Sequence, residues 1–526
     1  MNSYQSKINY PWFSIIPFAL FFALCCVWGC GGDNGGSRLA EPKGSGEVSD
    51  NEQEEEVSTG HWKRLPIACW SEQQSAAVEP RVKASLDNSG KVHLVCFQGS
   101  NDTKYQIIHM VGHVDTDLNR QQAPFYLIDQ KTKVIACVDN CTSLAFALVN
   151  GNEPVVAYRG GTSRGCDEGD GIMSDAMLSL KESGVWSPPL TAAKGATEEG
   201  GTGGGSYLRI AANEVATVTD SSGCIHLCYQ LLSENCDAKA NSSSSGDLSA
   251  DLYYVKVDRS LPDVQAPVTL AGELVEEDQG DSPHHIGSHC AITLDADENP
   301  VIFYCAELAD QKADAMGPGT RGLRVARKEA GAWKREWIER ECDTDSISCA
   351  RYTKTGCGWV GVAYSIRENT AGEFSLVPPS LLRTDGENEN TAQESATVQE
   401  HGIHYLRYAW TDEQFSGWQK KTVDDAIQCG EYCSLAFDSR GFPAIAYGTL
   451  SGYIGYSRRT LNFARFNGST LSWNREFVFP SGDIAGSSAA DIGLYNNLWF
   501  DQDNRPFICS SSSTQKTIFL FYRDPP

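Results

Sequence analysis

Three kinds of side-chain cluster in this 526-residue chain have spacing that could do chemistry. His284, His285 and His289 stand beside Cys290 in the stretch DSPHHIGSHC. Zinc requires ligands that converge on one centre with a supporting outer shell. This stretch is short, polar and broken by Pro and Gly, so it reads as solvated loop histidine. The acid-rich stretches 295–299 (DADEN) and 501–504 (DQDN) are the second kind. Calcium takes six to eight oxygens, and neither stretch has the glycine and distal glutamate of an EF-hand loop. Turn chemistry explains them, because Asp and Asn side chains cap the backbone of a tight hairpin. The third kind is cysteine. Cys137/Cys141 and Cys429/Cys433 share a CxxxC spacing just before the same SLAF tetrapeptide, and Cys342/Cys349 occupies the corresponding junction one copy earlier. These six are the candidate disulfide cysteines.

No catalytic set accompanies them. The arginines Arg81, Arg159, Arg209, Arg324, Arg351 and Arg407 are scattered, and no spacing singles out three. GxSxG, HExxH and GxxxxGK[ST] do not occur, and the glycine-rich run 201–206 lacks the P-loop lysine. The sequence therefore assigns no catalytic residue, no metal and no cofactor.

The chain's ends fix an expected address. Lys7 is the only charge before an apolar stretch over 12–28, of signal-sequence length. Val27-Trp28-Gly29-Cys30 resembles a bacterial lipobox. That resemblance implies cleavage before Cys30 and lipidation of its sulfur, with residues 1–30 as the signal peptide. An ordinary cleaved signal or an uncleaved anchor are the alternatives. Residues 31–60 are rich in Gly, Ser and Glu and cannot bury enough surface to fold, so they read as an acidic tether. The 19 cysteines point the same way. Setting aside Cys25, Cys26 and Cys30 leaves an even number with no CxxC pair, which suits an oxidising compartment and several disulfides. Cys224 and Cys228 flank a strand tripeptide. Four strand residues span ~13 Å whereas bridged Cα atoms lie within ~7 Å, so these two should not pair with each other. The expected location is the bacterial cell envelope, with a lipid anchor in the membrane.

Composition bounds the partners. A net charge of −25 argues against nucleic acid, which needs a basic surface. Gly 49, Tyr 20, Phe 20 and Trp 12 favour strands and turns over helices.

What must position any site is a repeat. The clearest copy runs from 432 to 479: an apolar run ending in Asp (SLAFD), a Gly-Pro turn, a second run (PAIAY), a third (LNFARF) and a last strand after Trp473 (SWNREFVF). Copies begin near residues 82, 143, 207, 290, 347, 434 and 494. The pattern predicts an all-β, seven-bladed β-propeller over residues 61–526, six or eight blades being the alternatives. The last copy lacks its fourth strand. HWKRLPIA at 61–68 is the candidate that closes the ring and leaves no open sheet edge.

SLAFDSRGFPAIAYG followed by LNFARFNGSTLSW resembles the repeats of secreted bacterial BNR-like (sialidase-type) propellers, although the Asp-box S/T-x-D-x-G-x-T-W is absent. The resemblance implies an exported propeller of unspecified ligand. Insertions at 159–175, 232–250, 306–321 and 366–401 all fall between the second and third strands of a copy. Such loops emerge on one face, and loops on a rigid scaffold are where binding sits. Trp186, Trp333, Trp418 and Trp473 recur at one repeat position, which points to packing between blades rather than to sugar stacking. The reading is a monomeric binding module for an unidentified protein or glycan. The alternative is a glycosidase-type hydrolase using the central channel.

Overall fold

The computed structural model describes residues 62–69, 81–101, 104–114, 125–138, 143–160, 175–193, 198–199, 206–210, 213–235, 248–259, 272–277, 286–308, 320–340, 342–354, 357–368, 403–426, 428–451, 458–479 and 492–523. The expected leader with Cys30, the tether, Cys141, His284, His285 and most of the four insertions lie outside them. Among the described residues every regular element is a β-strand, and no helix is long and apolar enough to cross a membrane.

Seven antiparallel sheets follow one another along the chain. Blade 1 holds β2 (Val82–Leu86), β3 (Lys91–Asn101), β4 (Lys104–Val114) and β5 (Phe125–Val138). Blade 2 holds β6 (Leu144–Val149), β7 (Glu153–Gly160), β8 (Asp175–Glu182) and a fourth strand split into β9 (Val185–Trp186) and β10 (Leu190–Ala193). Pro188 and Pro189 sit at that break, where missing N–H donors end the ladder. Blade 3 holds β13 (Val215–Thr219), β14 (Ile225–Asn235), β15 (Leu248–Val257) and β16 (Glu273–Glu276), with β11 (Glu198–Glu199) and β12 (Ser206–Ile210) added beside the far half of β14. Blade 4 is β17 (Ser288–Leu294), β18 (Pro300–Leu308), β19 (Thr320–Glu329) and β20 (Ala332–Trp337). Blade 5 is β21 (Asp343–Lys354), β22 (Cys357–Glu368), β23 (Ile403–Thr411) and β24 (Gln419–Asp424). Blade 6 is β25 (Cys429–Phe437), β26 (Pro443–Ser451), β27 (Arg458–Asn467) and β28 (Ser472–Phe479). Blade 7 is β29 (Ile492–Phe500), β30 (Pro506–Ser512) and β31 (Thr517–Arg523), completed by β1 (Trp62–Cys69). Four strands per blade, lettered A to D outward from the axis, make the seven-bladed propeller that the repeat predicts.

Ring closure follows the expected route. β1 pairs antiparallel with β31, from Trp62↔Arg523 to Cys69↔Thr517. The insertions are shorter than the sequence suggests. Ser233, Glu234 and Asn235 extend β14 by backbone pairing to β12, although their side chains are polar. A ladder needs only N–H and C=O groups, so polarity alone did not mark the strand's end.

The core is not central. Each apolar cluster joins two neighbouring blades: Phe97 and Tyr158 between blades 1 and 2, Phe303 and Val362 between 4 and 5, Phe463 and Phe521 between 6 and 7. Blades 7 and 1 share Cys96, Cys509 and Leu520, so the closing interface is packed like the others. The recurring tryptophans tie these layers edge-on to the preceding blade. Trp333 meets Tyr254 at 5.3 Å, Trp418 meets Phe303 at 5.5 Å, Trp473 meets Tyr408 at 5.6 Å and Trp62 meets Phe463 at 5.4 Å. Packing between blades is therefore the role of this position. Near the axis, side chains of one A strand accept the backbone N–H of the next. Ser348 Oγ accepts from Leu435 at 3.0 Å, Ser434 Oγ from Leu498 at 2.9 Å, and Asn497 Oδ1 from Ala84 at 3.2 Å, the last across the closure.

Candidate functional site

Two kinds of polar cluster recur from blade to blade. The first caps the A–B hairpins. Asp87, Asp295, Asp438 and Asp501 each accept, on Oδ1, the backbone N–H four residues on, at 2.7–2.9 Å. The other carboxylate oxygen reaches back to a strand. Asp438 Oδ2 binds Arg465 at 2.7 Å, Asp501 Oδ2 binds Arg505 Nε at 2.7 Å, and Asp220 Oδ2 meets His226 Nε2 at 3.1 Å and Lys256 at 3.0 Å. Hydrogen bonds from Ser222, His226 and Lys256 outweigh burial and hold the Asp220 carboxyl well below the usual range. The stretches at 295–299 and 501–504 are thus hairpin caps, and among the described residues no group of metal-ligating side chains is assembled.

The second kind locks one blade to the next. The acid ending a D strand receives a tyrosine from strand B and a basic group. Glu276 takes the Tyr304 hydroxyl and lies 3.2 Å from Arg324, all three buried. Glu339 takes Tyr364 at 3.0 Å, Arg407 at 2.9 Å and Lys420 at 3.1 Å. Asp424 takes Tyr447 at 2.6 Å and Arg475 at 2.5 Å. Burial first, then the adjacent carboxylate, pushes each of the three tyrosine hydroxyls far above its ordinary range. Arg324 and Arg407, two of the scattered arginines, are clamp residues rather than channel residues. Sequence reading missed the clamp, although its trace is visible: an aliphatic residue followed by an acid ends β16 and β24 and recurs at Ile338-Glu339 after β20, and VIFY, GVAY and AIAY fill the next B strand.

One register breaks the repetition. Pro300, Pro443 and Pro506 pair with the last residues of their A strands, Leu294, Phe437 and Phe500, and so align blades 4, 6 and 7. At matching positions near the starts of these strands stand His289, Tyr432 and Tyr495, with φ of 52°, 50° and 49°. Each follows a glycine of positive φ, Gly287, Gly430 or Gly493, and each sits in a ladder irregularity. The hairpin aspartates place Arg81 and Glu214 at the same register in blades 1 and 3. These residues stand at or near the starts of the A strands, the innermost of each blade, and so lie toward one end of the ring axis, called the mouth below.

The mouth has a defined structure. The Tyr432 and Tyr495 rings lie 4.7 Å apart. Arg81 sits 5.3 Å from the Tyr495 ring and Arg459 5.7 Å from Tyr432, with Arg459 also bonded to Glu431 at 2.7 Å. Asn496 Nδ2 donates to Tyr432 O and Gly493 O, both at 3.0 Å, and fixes one left-handed turn against the other. Backbone strain of about 1–3 kcal/mol per residue persists only where the surroundings over-determine it, and it concentrates at functional sites. Lys83, two residues beyond Arg81, is exposed, and the charges of Arg81 and Glu214 both act on it. Desolvation, then Arg81, lowers its pKa below the usual lysine range. Among the described residues neither Arg81 nor Lys83 has a carboxylate at ion-pair distance. Two adjacent cations near two phenol rings can hold an anionic group by charge-assisted hydrogen bonds. Paired-acid glycoside hydrolysis needs two carboxylates; of the described mouth residues Glu214 is one, while Glu431 is held by Arg459.

The cysteine candidates lie elsewhere. Cys342 precedes β21, Cys349 lies within it, and Cys429 and Cys433 lie on β25. Cys342, Cys349 and Cys433 are thiols in the structure. Cys433 Sγ lies 3.4 Å from Ala363 O, and Cys429 Sγ 3.3 Å from Asp424 O. Burial pushes the Cys342 and Cys433 thiols up to about 12. Cys137 falls on β5, whose side chains, like that of Arg209, lie outside the described residues.

No protein-family profile matches the chain, and a search of curated proteins finds no match. Solved structures do resemble it. A polysaccharide lyase of the PL25 ulvan-lyase family is 14% identical, with a TM-score of 0.40 over 77% of this chain and 80% of that one. A Hadza microbial sialidase is 11% identical, at 0.39, over 72% of this chain and 65% of its own. An α-L-arabinofuranosidase of Fusarium graminearum is 9% identical, at 0.36, over 73% and 93%. Likeness at this level is one of sialidase- and glycosidase-like propeller architecture, and no residue's role is carried across from it.

Proposed function

We propose that this chain is an exported, lipid-anchored binding module, which takes an anionic group of a glycan or protein at the axial mouth. The observation that carries the reading is the contrast between registers. Clamps and hairpin caps repeat and are satisfied within the fold, whereas the mouth register changes from Arg81 to Glu214, His289, Tyr432 and Tyr495. A position that served only the scaffold would repeat with it. The apolar leader, Cys30 and the acidic tether support export and anchoring, and labelled-lipid incorporation with and without Cys30→Ala tests them.

Binding is tested by screening the purified protein on an array of neutral, carboxylated and sulfated glycans, then measuring affinity for any hit by calorimetry. The expected result is a preference for anionic glycans that falls at least tenfold, about 1.4 kcal/mol, in Lys83→Met and Arg81→Met. Equal binding by wild type and both variants would remove the mouth from the reading. The second reading, a glycosidase-type hydrolase, is favoured by Glu214 facing the same opening as the tyrosines. Turnover of a bound glycan that Glu214→Gln abolishes, with binding retained, would establish it instead.

A further inference from the structure

Among the described residues, Cys228 on strand B of blade 3 and Cys290 on strand A of blade 4 belong to one apolar cluster with Leu252, Ile286 and Tyr304. Both are buried thiols in the structure, Cys228 completely. Cys290 Sγ lies 4.0 Å from the Cys228 carbonyl oxygen. The neighbouring Cys228 thiol, before burial itself, holds the Cys290 thiol above its ordinary range. Cys228 cannot turn to Cys224 instead. The two straddle β14, where Ile225 pairs with Thr219 and Cys228 with Ala216 in an unbroken ladder that holds the intervening chain extended. Disulfide partners must bring their Cα atoms within ~7 Å, which four residues of one extended strand do not.

We propose that Cys228 and Cys290 form a disulfide that staples blade 3 to blade 4. The proposal rests on the exported reading for its oxidant, a low-molecular-weight or enzyme-borne disulfide. One cysteine thiolate attacks that disulfide and displaces one of its two thiolates. The second cysteine then attacks the mixed disulfide and releases the other. The balance is two protein thiols plus one disulfide giving one protein disulfide plus two thiols. Exchange takes place before the blades close, since burial in the folded interface keeps an outside disulfide from both sulfurs and the Cys290 thiol is held above its ordinary range. Cys349 on β21 is the competing sulfur, because it lies within electrostatic range of Cys290 from the other side.

The test is peptide mapping of the full chain, refolded from the reduced state in a glutathione/glutathione-disulfide buffer and alkylated after denaturation without reduction. The expected result is one species joining the peptides of Cys228 and Cys290, lighter by two hydrogens, with alkylation lost at both positions. Alkylation at both, or a bridge from Cys290 to Cys349, overturns the proposal. The same mapping on protein isolated from its native cells tests the compartment separately. A bridge formed in the refolded chain but missing there means that the export reading has failed while the geometry holds. The Cys228→Ala variant serves as a control, and its loss of the bridge without new alkylation-resistant Cys290 is the supporting outcome. A new bridge from Cys290 to another cysteine at wild-type yield counts against it.

Discussion

The blade interfaces and the axial mouth use the same residue types to opposite ends. At the interface of blades 3 and 4, Tyr304, Arg324 and Glu276 are buried together, and Glu276 takes both the tyrosine hydroxyl and the guanidinium. At the mouth, Tyr432 and Tyr495 stand on left-handed backbone with Arg81 against the Tyr495 ring, and Lys83 nearby is exposed. A tyrosine, an arginine and an acid in proximity are therefore no evidence of a site by themselves. In this molecule the repeated arrangement is cement, and the unrepeated one is the candidate for function.

The comparison can be broken first at the clamp. Glu276→Ala leaves Arg324 buried without its carboxylate. Removing one member of a buried pair typically costs about 3–5 kcal/mol, so chemical denaturation should show a loss of that size with mouth binding intact in the folded fraction. A loss below about 1 kcal/mol would mean that the clamp is ornamental.

Backbone strain at the mouth gives the next effect. A Cβ on Gly493, at φ 120°, would meet Thr460 O at 3.1 Å and the Gly448 Cα at 3.3 Å. Gly493→Ala should cost about 1–3 kcal/mol and weaken binding as well, because it displaces Tyr495. Unchanged affinity would separate the left-handed turns from function.

Acid should act on the scaffold. His109 is buried against His93, and desolvation followed by the His93 charge lowers its pKa to about 3. His93 is lowered too, mainly by burial, with Asp87 opposing. A histidine kept neutral in the fold but free to protonate when unfolded gives stability that is complete above pH 6.5. That stability is lost as pH falls from there toward 3, at about 1.4 kcal/mol per pH unit for one such group. Denaturation midpoints between pH 7 and 4 check the slope, and His109→Gln should flatten it.

The smallest stability effect belongs to the mouth cations. Lys83→Met and Arg81→Met should leave stability within about 0.5 kcal/mol of wild type, because neither cation holds an ion pair among the described residues. Only affinity should move. In the wild type, anion binding should also weaken as pH rises through the lowered Lys83 pKa, before an ordinary lysine would lose its proton.

Much of the scaffold was legible because it is local. The SLAFD–Gly–Pro–AIAY hairpin states its own strands and turn, and Trp473 announces the fourth strand. The unpaired last copy called for an N-terminal strand, which β1 supplies. The Asp stretches read as caps because an Asx turn spans only a few residues. The clamps were not legible, since Glu276 and Arg324 belong to different blades and neither residue marks itself as buried.

The sequence by itself determined the all-β repeat, the order of the strands within a blade, the closing strand and the packing role of the tryptophans, because periodic alternation and turn chemistry act over a few residues. Tertiary structure alone decided which side chains meet at the axis. Arg81 and Tyr495 are separated by most of the chain and come within 5.3 Å only when the ring shuts. Closure is a property of all seven interfaces together, and no single stretch of sequence carries it.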